Sequence, residues 1–218
     1  MARDTMTHGR LTAAAPAPHP RRMTTRRVSW RRTDEVRTDE HCTISIRDSG
    51  ISLVGTVLGA DGGLPVRIEY RVLTDGAGAT TAVHVRDYRG FGQRQLTLAR
   101  DAKGNWTVNG VADRRLKGCV HVDLGCSPST NTLPIRRLRL GIGGAATIQA
   151  AWVRFPELAV EKAAQTYSRP DEFSYRYASG SFESDLLVDD DGVVAQCGPW
   201  ERTGVADGLD DTAPLDAR

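Results

Sequence analysis

ISLVGTVLGADGGLPVRIEYRVLTD, residues 51–75, decides the fold class of this chain. Its second half alternates, with Val66, Ile68, Tyr70 and Val72 on one side and Arg67, Glu69 and Arg71 on the other. A period of two puts apolar groups on one face of a β-strand and solvated groups on the other. The first half, ISLVGTVLG at 51–59, is apolar enough to be a strand buried on both faces. Between them stand Asp61, Gly62 and Gly63, residue types that supply the positive φ angles of a tight hairpin turn.

The same pattern runs outward in both directions. CTISI (42–46) precedes it; TAVHVRDYR (81–89), RQLTLARD (94–101), NWTVNG (105–110) and CVHVDL (119–124) follow. Further on come IRRLRLGI (135–142), ATIQAAWVRF (146–155), LAVEKAAQTYS (158–168), FSYRYAS (173–179), FESDLLVD (182–189) and GVVAQC (192–197). Asp and Gly mark turns at 75–78, 101–105 and 189–192, and only 126–134 and 158–165 could hold a helical turn. The spacing predicts an all-β protein with minor α: a single rolled or barrel-like antiparallel sheet. Such a curl protects the sheet edges and leaves a concave face for a ligand.

Charge divides the 218 residues into three. Residues 1–32 carry a net +7, residues 33–200 a net −2 and residues 201–218 a net −3. The expected organisation is a disordered basic extension over 1–27, a β-roll domain over 28–203 and an acidic flexible tail over 204–218. Arginine outnumbers lysine 26 to 3, a bias expected of a GC-rich bacterial genome. No apolar run reaches the ~18 residues of a membrane-crossing helix. LTAAAPAPHP, at 11–20, is too broken by proline for an export signal, so a cytoplasmic location is expected. Cys42, Cys119, Cys126 and Cys197 are then expected to be reduced thiols.

The candidate site lies around 119–140. Cys119, His121 and Asp123 share one face of a strand, but no second pair stands at a zinc spacing, so no metal and no cofactor is expected. Ser127, Ser129, Thr130, Asn131 and Thr132 can cap a short turn between Pro128 and Pro134. In the strand expected next, Arg136 falls on the apolar side and needs a partner. A bidentate pair between Asp123 and Arg136 would clamp the two ends of the loop. Trp152 and Arg154 share a face and could stack on a sugar and hold an acidic head group, or Trp152 could simply close one end of the core. The ligand-binding candidates are Trp106, Asp123, Thr130, Asn131, Arg136, Arg137, Trp152 and Arg154. No serine sits in a nucleophile elbow and no glycine-rich phosphate loop opens a helix, so no catalytic residue is assigned. A hydrolase could still draw paired carboxylates from Asp123, Glu183 or Asp185. A partner-binding or nucleic-acid-binding module would use the basic tail and the stripe Arg137, Arg139, although nucleic acid is not the expected partner.

DLGCSPSTNTLPIRRLRL (123–140), AAWVRFPELAVEKAAQTYSR (150–169), FSYRY (173–177) and LLVDDDGVV (186–194), with Trp30, GNW (104–106) and GCVHVDL (118–124), resemble the bacterial glycolipid-binding domain family. The resemblance covers about residues 28–200. It implies a rolled antiparallel sheet similar in shape to periplasmic lipoprotein carriers, and binding of a glycolipid or other amphipathic small molecule. It carries over no catalytic or ligand-binding residue. The arginine-rich extension and Cys126 depart from the family pattern.

Overall fold

The structure, a computed structural model, describes residues 24–89 and 92–208. The first half of the chain is a meander of β1 (Thr24–Arg32), β2 (Arg37–Arg47), β3 (Gly50–Asp61), β4 (Leu64–Thr74), β5 (Thr80–Asp87), β6 (Arg94–Arg100), β7 (Trp106–Val108) and β8 (Val111–Ala112). Then come β9 (His121–Leu124) and the short helix α1 (Thr132–Leu138). A second meander follows: β10 (Ala145–Arg154), β11 (Ala159–Ser168), β12 (Ser174–Ser179), β13 (Phe182–Val188), β14 (Val194–Cys197) and β15 (Trp200–Gly208).

The 51–75 hairpin forms as its sequence predicts. Asp61 pairs with Leu64 across Gly62 and Gly63, whose φ angles are 57° and 79°. Val66, Ile68, Tyr70 and Val72 are buried. The strand 51–59, however, is buried on one face only, with Val54 47% and Leu58 52% exposed. Gly55 has a specific task. The Tyr70 ring lies across it, and a Cβ there would stand 2.3 Å from ring atoms.

All fifteen strands belong to one sheet, in the order β8 to β1, then β15 to β9. The first and last strands therefore form its seam, with Val28 opposite Val205. Residues 24–27 and 204–208, expected in the tails, are strand residues in that seam; the remainder of both tails lies outside the described residues. Two further expectations are corrected. The sheet is not purely antiparallel, because β9 runs parallel to β10. Nor is it a closed barrel: β8 and β9 are unpaired edges of an open sheet.

The reason for both is the segment 125–144. A parallel pair needs a crossover, and this segment supplies it. IRRLRLGI is accordingly not a strand. Residues 132–138 are helical, with Pro134 in the first turn, where its missing N–H is harmless. Arg139 ends the helix in the left-handed conformation, at φ 47°. The polar turn before it was foreseen, and Ser129–Asn131 form a 3-10 turn.

Two apolar clusters hold the sheet. The larger packs Trp30, Ile44, Leu53, Ile68, Leu98 and Trp106 with Val122, Leu124, Ala151 and Val153, so it joins both meanders. The smaller contains Ile135, Tyr167, Tyr175, Tyr177, Leu186 and Val188. β10 is covered on both faces, since Ile148 packs on the smaller cluster and Ala151 and Val153 on the larger. The sheet is not strongly curled, so the hollow expected of a roll does not form.

Candidate functional site

Open space lies instead at one end of the sheet, in a cleft of about 880 Å³. Five separate stretches build it: the end of β2 with Asp48, the 75–78 turn, α1 with Arg139, residues 169–175, and the 188–192 turn. Ile51, Leu133, Ile135, Tyr175 and Val188 give it an apolar floor. Charged side chains form its walls.

Several wall charges are fixed by hydrogen bonds within the fold. Asp189 accepts from Arg26 at 2.9 Å and from Arg202, and its other oxygen caps the backbone N–H of Asp191 and Val193. Asp75 holds its own turn by accepting from the N–H of Ala77 and Ala79. Arg136 donates to the carbonyl of Asp191 and lies 3.7 Å from that residue's carboxylate. Burial lowers the pKa of Arg136 and Asp191 opposes the shift. Arg169 donates only to carbonyls, those of Leu140, Asp171 and Glu172. Arg47, Arg137 and Arg139 form no ion pair with any described residue.

The expected Asp123–Arg136 clamp does not form. Asp123 accepts from Gln165 at 2.6 Å and from Thr130 at 3.4 Å. The helix, by replacing the expected strand, turns Arg136 away towards the 188–192 turn. Burial raises the Asp123 pKa, against the hydrogen bonds of Gln165, Thr130 and Tyr177.

The sequence-derived candidates therefore separate into four places. Arg136 and Arg137 line the cleft. Asp123, Thr130 and Asn131 belong to a polar network behind it, in which Tyr167 donates to Asn131 at 2.8 Å and Thr130 receives the Leu124 N–H. Trp106 is a core residue, 2% exposed, with its indole N–H on the Cys119 carbonyl. Trp152 and Arg154 form a cation–π pair at 5.6 Å, with Arg154 also bound to Glu161.

Glu40 escaped sequence reasoning, and His121, read there only as part of a polar strand face, is buried. Glu40 is 2% exposed; its Oε1 accepts from Tyr70 and from Ser127 at 2.7 Å, while its Oε2 has no partner among the described residues. Ser129 joins this cluster through Tyr70 and Ser127. Burial pushes the Glu40 pKa up to about 7, although the hydroxyls favour its charge. His121 is also buried, with neither ring nitrogen bonded to a described residue. Its burial and the nearby Arg137 and Arg100 depress its pKa to about 3, against the pull of Asp75. The available signal for Glu40 was parity: it shares the inward face of β2 with Cys42 and Ile44. Among the described residues no acidic, histidine and cysteine cluster is arranged to hold a metal, and no helix is long and apolar enough to cross a membrane.

A family model described as "Putative glycolipid-binding" matches residues 27–202. A crystal structure of a DUF1089 family protein from Pseudomonas aeruginosa is similar to this chain at 29% identity and a TM-score of 0.67. The match covers 89% of this chain and 100% of that one. No curated protein matches the chain.

Proposed function

The chain belongs to the glycolipid-binding family, and from that premise we propose that it binds one amphipathic glycolipid in the cleft beside α1. One observation carries this: the cleft joins an apolar floor to walls of arginine and carboxylate side chains. Acyl chains would cover Ile46, Ile51 and Val188, while sugar hydroxyls would meet guanidinium donors and carboxylate acceptors. Phe173 supplies an exposed aromatic face of the kind on which sugar rings stack, whereas the Tyr175 ring is covered by the Arg169 guanidinium. The ligand sits at the end of the sheet, not inside a roll. A cytoplasmic location would place the encounter at the inner leaflet of the membrane.

A hydrolase would need a carboxylate or histidine with a hydrogen-bonded partner facing this cleft. Asp189 and Asp191 face it, but Arg26, Arg136 and Arg202 hold them as acceptors. That arrangement favours binding.

Titration with a monomeric alkyl glycoside, followed by calorimetry, tests the proposal. Saturable binding to one site is expected, weakened at least about tenfold in Ile46→Trp, which fills the cleft floor. Native mass spectrometry of the purified chain should show one retained lipid. Absence of saturable binding together with a lipid-free mass would refute it.

A further inference from the structure

The segment Arg136-Arg137-Leu138-Arg139-Leu140-Gly141-Ile142 interleaves guanidinium and apolar side chains and contains no acid. Of its three arginines only Arg136 forms an ion pair with a described residue, Asp191. Arg137 and Arg139 are exposed at the cleft mouth. Ile142 is 66% exposed, and Phe173, on the neighbouring turn, is 43% exposed. Phe173 lines the cleft and Ile142 stands on the adjoining turn, so two large apolar side chains meet water beside the opening.

Arg169 makes the two turns into one rim. Its guanidinium donates to Leu140 at 2.8 Å on one turn and to Asp171 and Glu172 at 3.2 and 2.7 Å on the other. Its backbone closes the connection, accepting from the Gly143 N–H at 2.7 Å and donating to Gly144 at 2.9 Å. Ile142 and Phe173 are thus presented by turns that are fastened together. Arg139 adds to the case. It occupies a left-handed position where glycine would be strain-free, yet carries a charge there.

We infer that this rim docks on an anionic lipid bilayer, with Ile142 and Phe173 entering the interfacial layer and Arg137 and Arg139 meeting lipid phosphates. Ile142, which follows Arg137 and Arg139, suits the interface, where burial and attraction to anionic headgroups act together; Phe173 follows the exposed acids Asp171 and Glu172 and contributes through burial alone. The inference rests on the glycolipid proposal for its purpose, since a cleft that takes up a lipid must reach a membrane. Asp48, Glu172 and Asp190 also border the cleft, so charge alone is a modest part of the attraction. The flanking segments nearly cancel. Residues 1–23 carry Arg3, Arg10, Arg21 and Arg22 against Asp4, and residues 209–218 carry three aspartates against Arg218.

The test is flotation of the full chain with vesicles of phosphatidylcholine alone and of phosphatidylcholine mixed with phosphatidylglycerol. Binding is expected to the mixed vesicles and to fall as salt is raised. Arg137→Ala and Arg139→Gly should each weaken it about fivefold. Ile142→Ser with Phe173→Ser should weaken it about tenfold or more. Circular dichroism spectra matching the wild type and melting temperatures no lower than its own establish that these surface variants are folded. Equal binding to both vesicle types, or undiminished binding by the variants, overturns the inference. So does retention on duplex DNA with no vesicle binding. Alkyl glycoside titration separates the two proposals: glycoside binding without vesicle binding removes the docking alone, and vesicle binding without glycoside binding removes the cleft ligand alone.

Discussion

Between pH 4.5 and 6.5, two buried side chains pull the stability of this protein in opposite directions. Glu40 holds its proton more tightly when folded, so its contribution is fully present below its unfolded pKa of 4.5 and is lost as pH rises to about 7. His121 releases its proton on folding, so its contribution is present above 6.5 and is lost as pH falls towards about 3. Each changes stability by about 1.4 kcal/mol per pH unit within its window. The two slopes nearly cancel where the windows overlap, and this pair contributes little pH dependence there. Glu40→Gln should unmask a rise in stability with pH across that range, and His121→Leu a fall. Urea denaturation at pH 5 and 6.5 measures both; parallel wild-type and variant profiles would count against the buried titrations.

At the scale of the element, α1 is a short helix whose tertiary contacts matter more than its length. Leu133, fully buried, packs into the larger cluster, while Ile135 packs into the smaller. Leu133→Ala should cost about 2–5 kcal/mol, because it opens a cavity where the helix joins two cores. Arg139→Gly should instead stabilise the protein by up to about 1 kcal/mol, since glycine relieves the left-handed φ of 47°. Denaturation midpoints decide both. An Arg139→Gly variant that is more stable yet binds mixed vesicles less would separate the structural role of this position from its docking role. A destabilised Arg139→Gly would show that its charge serves the fold.

At the scale of the whole molecule, the chain is two meanders zipped together by its first and last strands. Arg26 fastens that seam, reaching Asp189 and Asp191 with one nitrogen and Asp207 with another. Trp30 reaches across it, its indole N–H bonded to the Val194 carbonyl at 2.8 Å. Opposite the seam, Tyr70 and Glu40 of the first meander meet Ser127 and Ser129 of the crossover. With the core shared, unfolding should be a single transition. Tryptophan fluorescence and far-ultraviolet circular dichroism should give coincident curves. Two resolved steps would mean that the meanders fold independently.

Strands and hairpins were legible because their signals are local. Alternation at 65–75 selects the inward face, and Asp61-Gly62-Gly63 selects the turn, without reference to distant residues. The helix at 132–138 was not legible: Leu138, Leu140 and Ile142 alternate as a strand would, and two helical turns are too few to show a period of 3.6. The parallel β9–β10 pair, the partners of Asp123 and Arg136, and the burial of Glu40 each depend on which distant strand lies alongside. The cleft does too, since its lining comes from five stretches between residues 46 and 192. Sequence by itself determined the β-character and most strand positions, because backbone geometry repeats every two residues. Tertiary structure alone decided the open sheet, the crossover and the site, because contacts between distant residues depend on how the whole sheet packs.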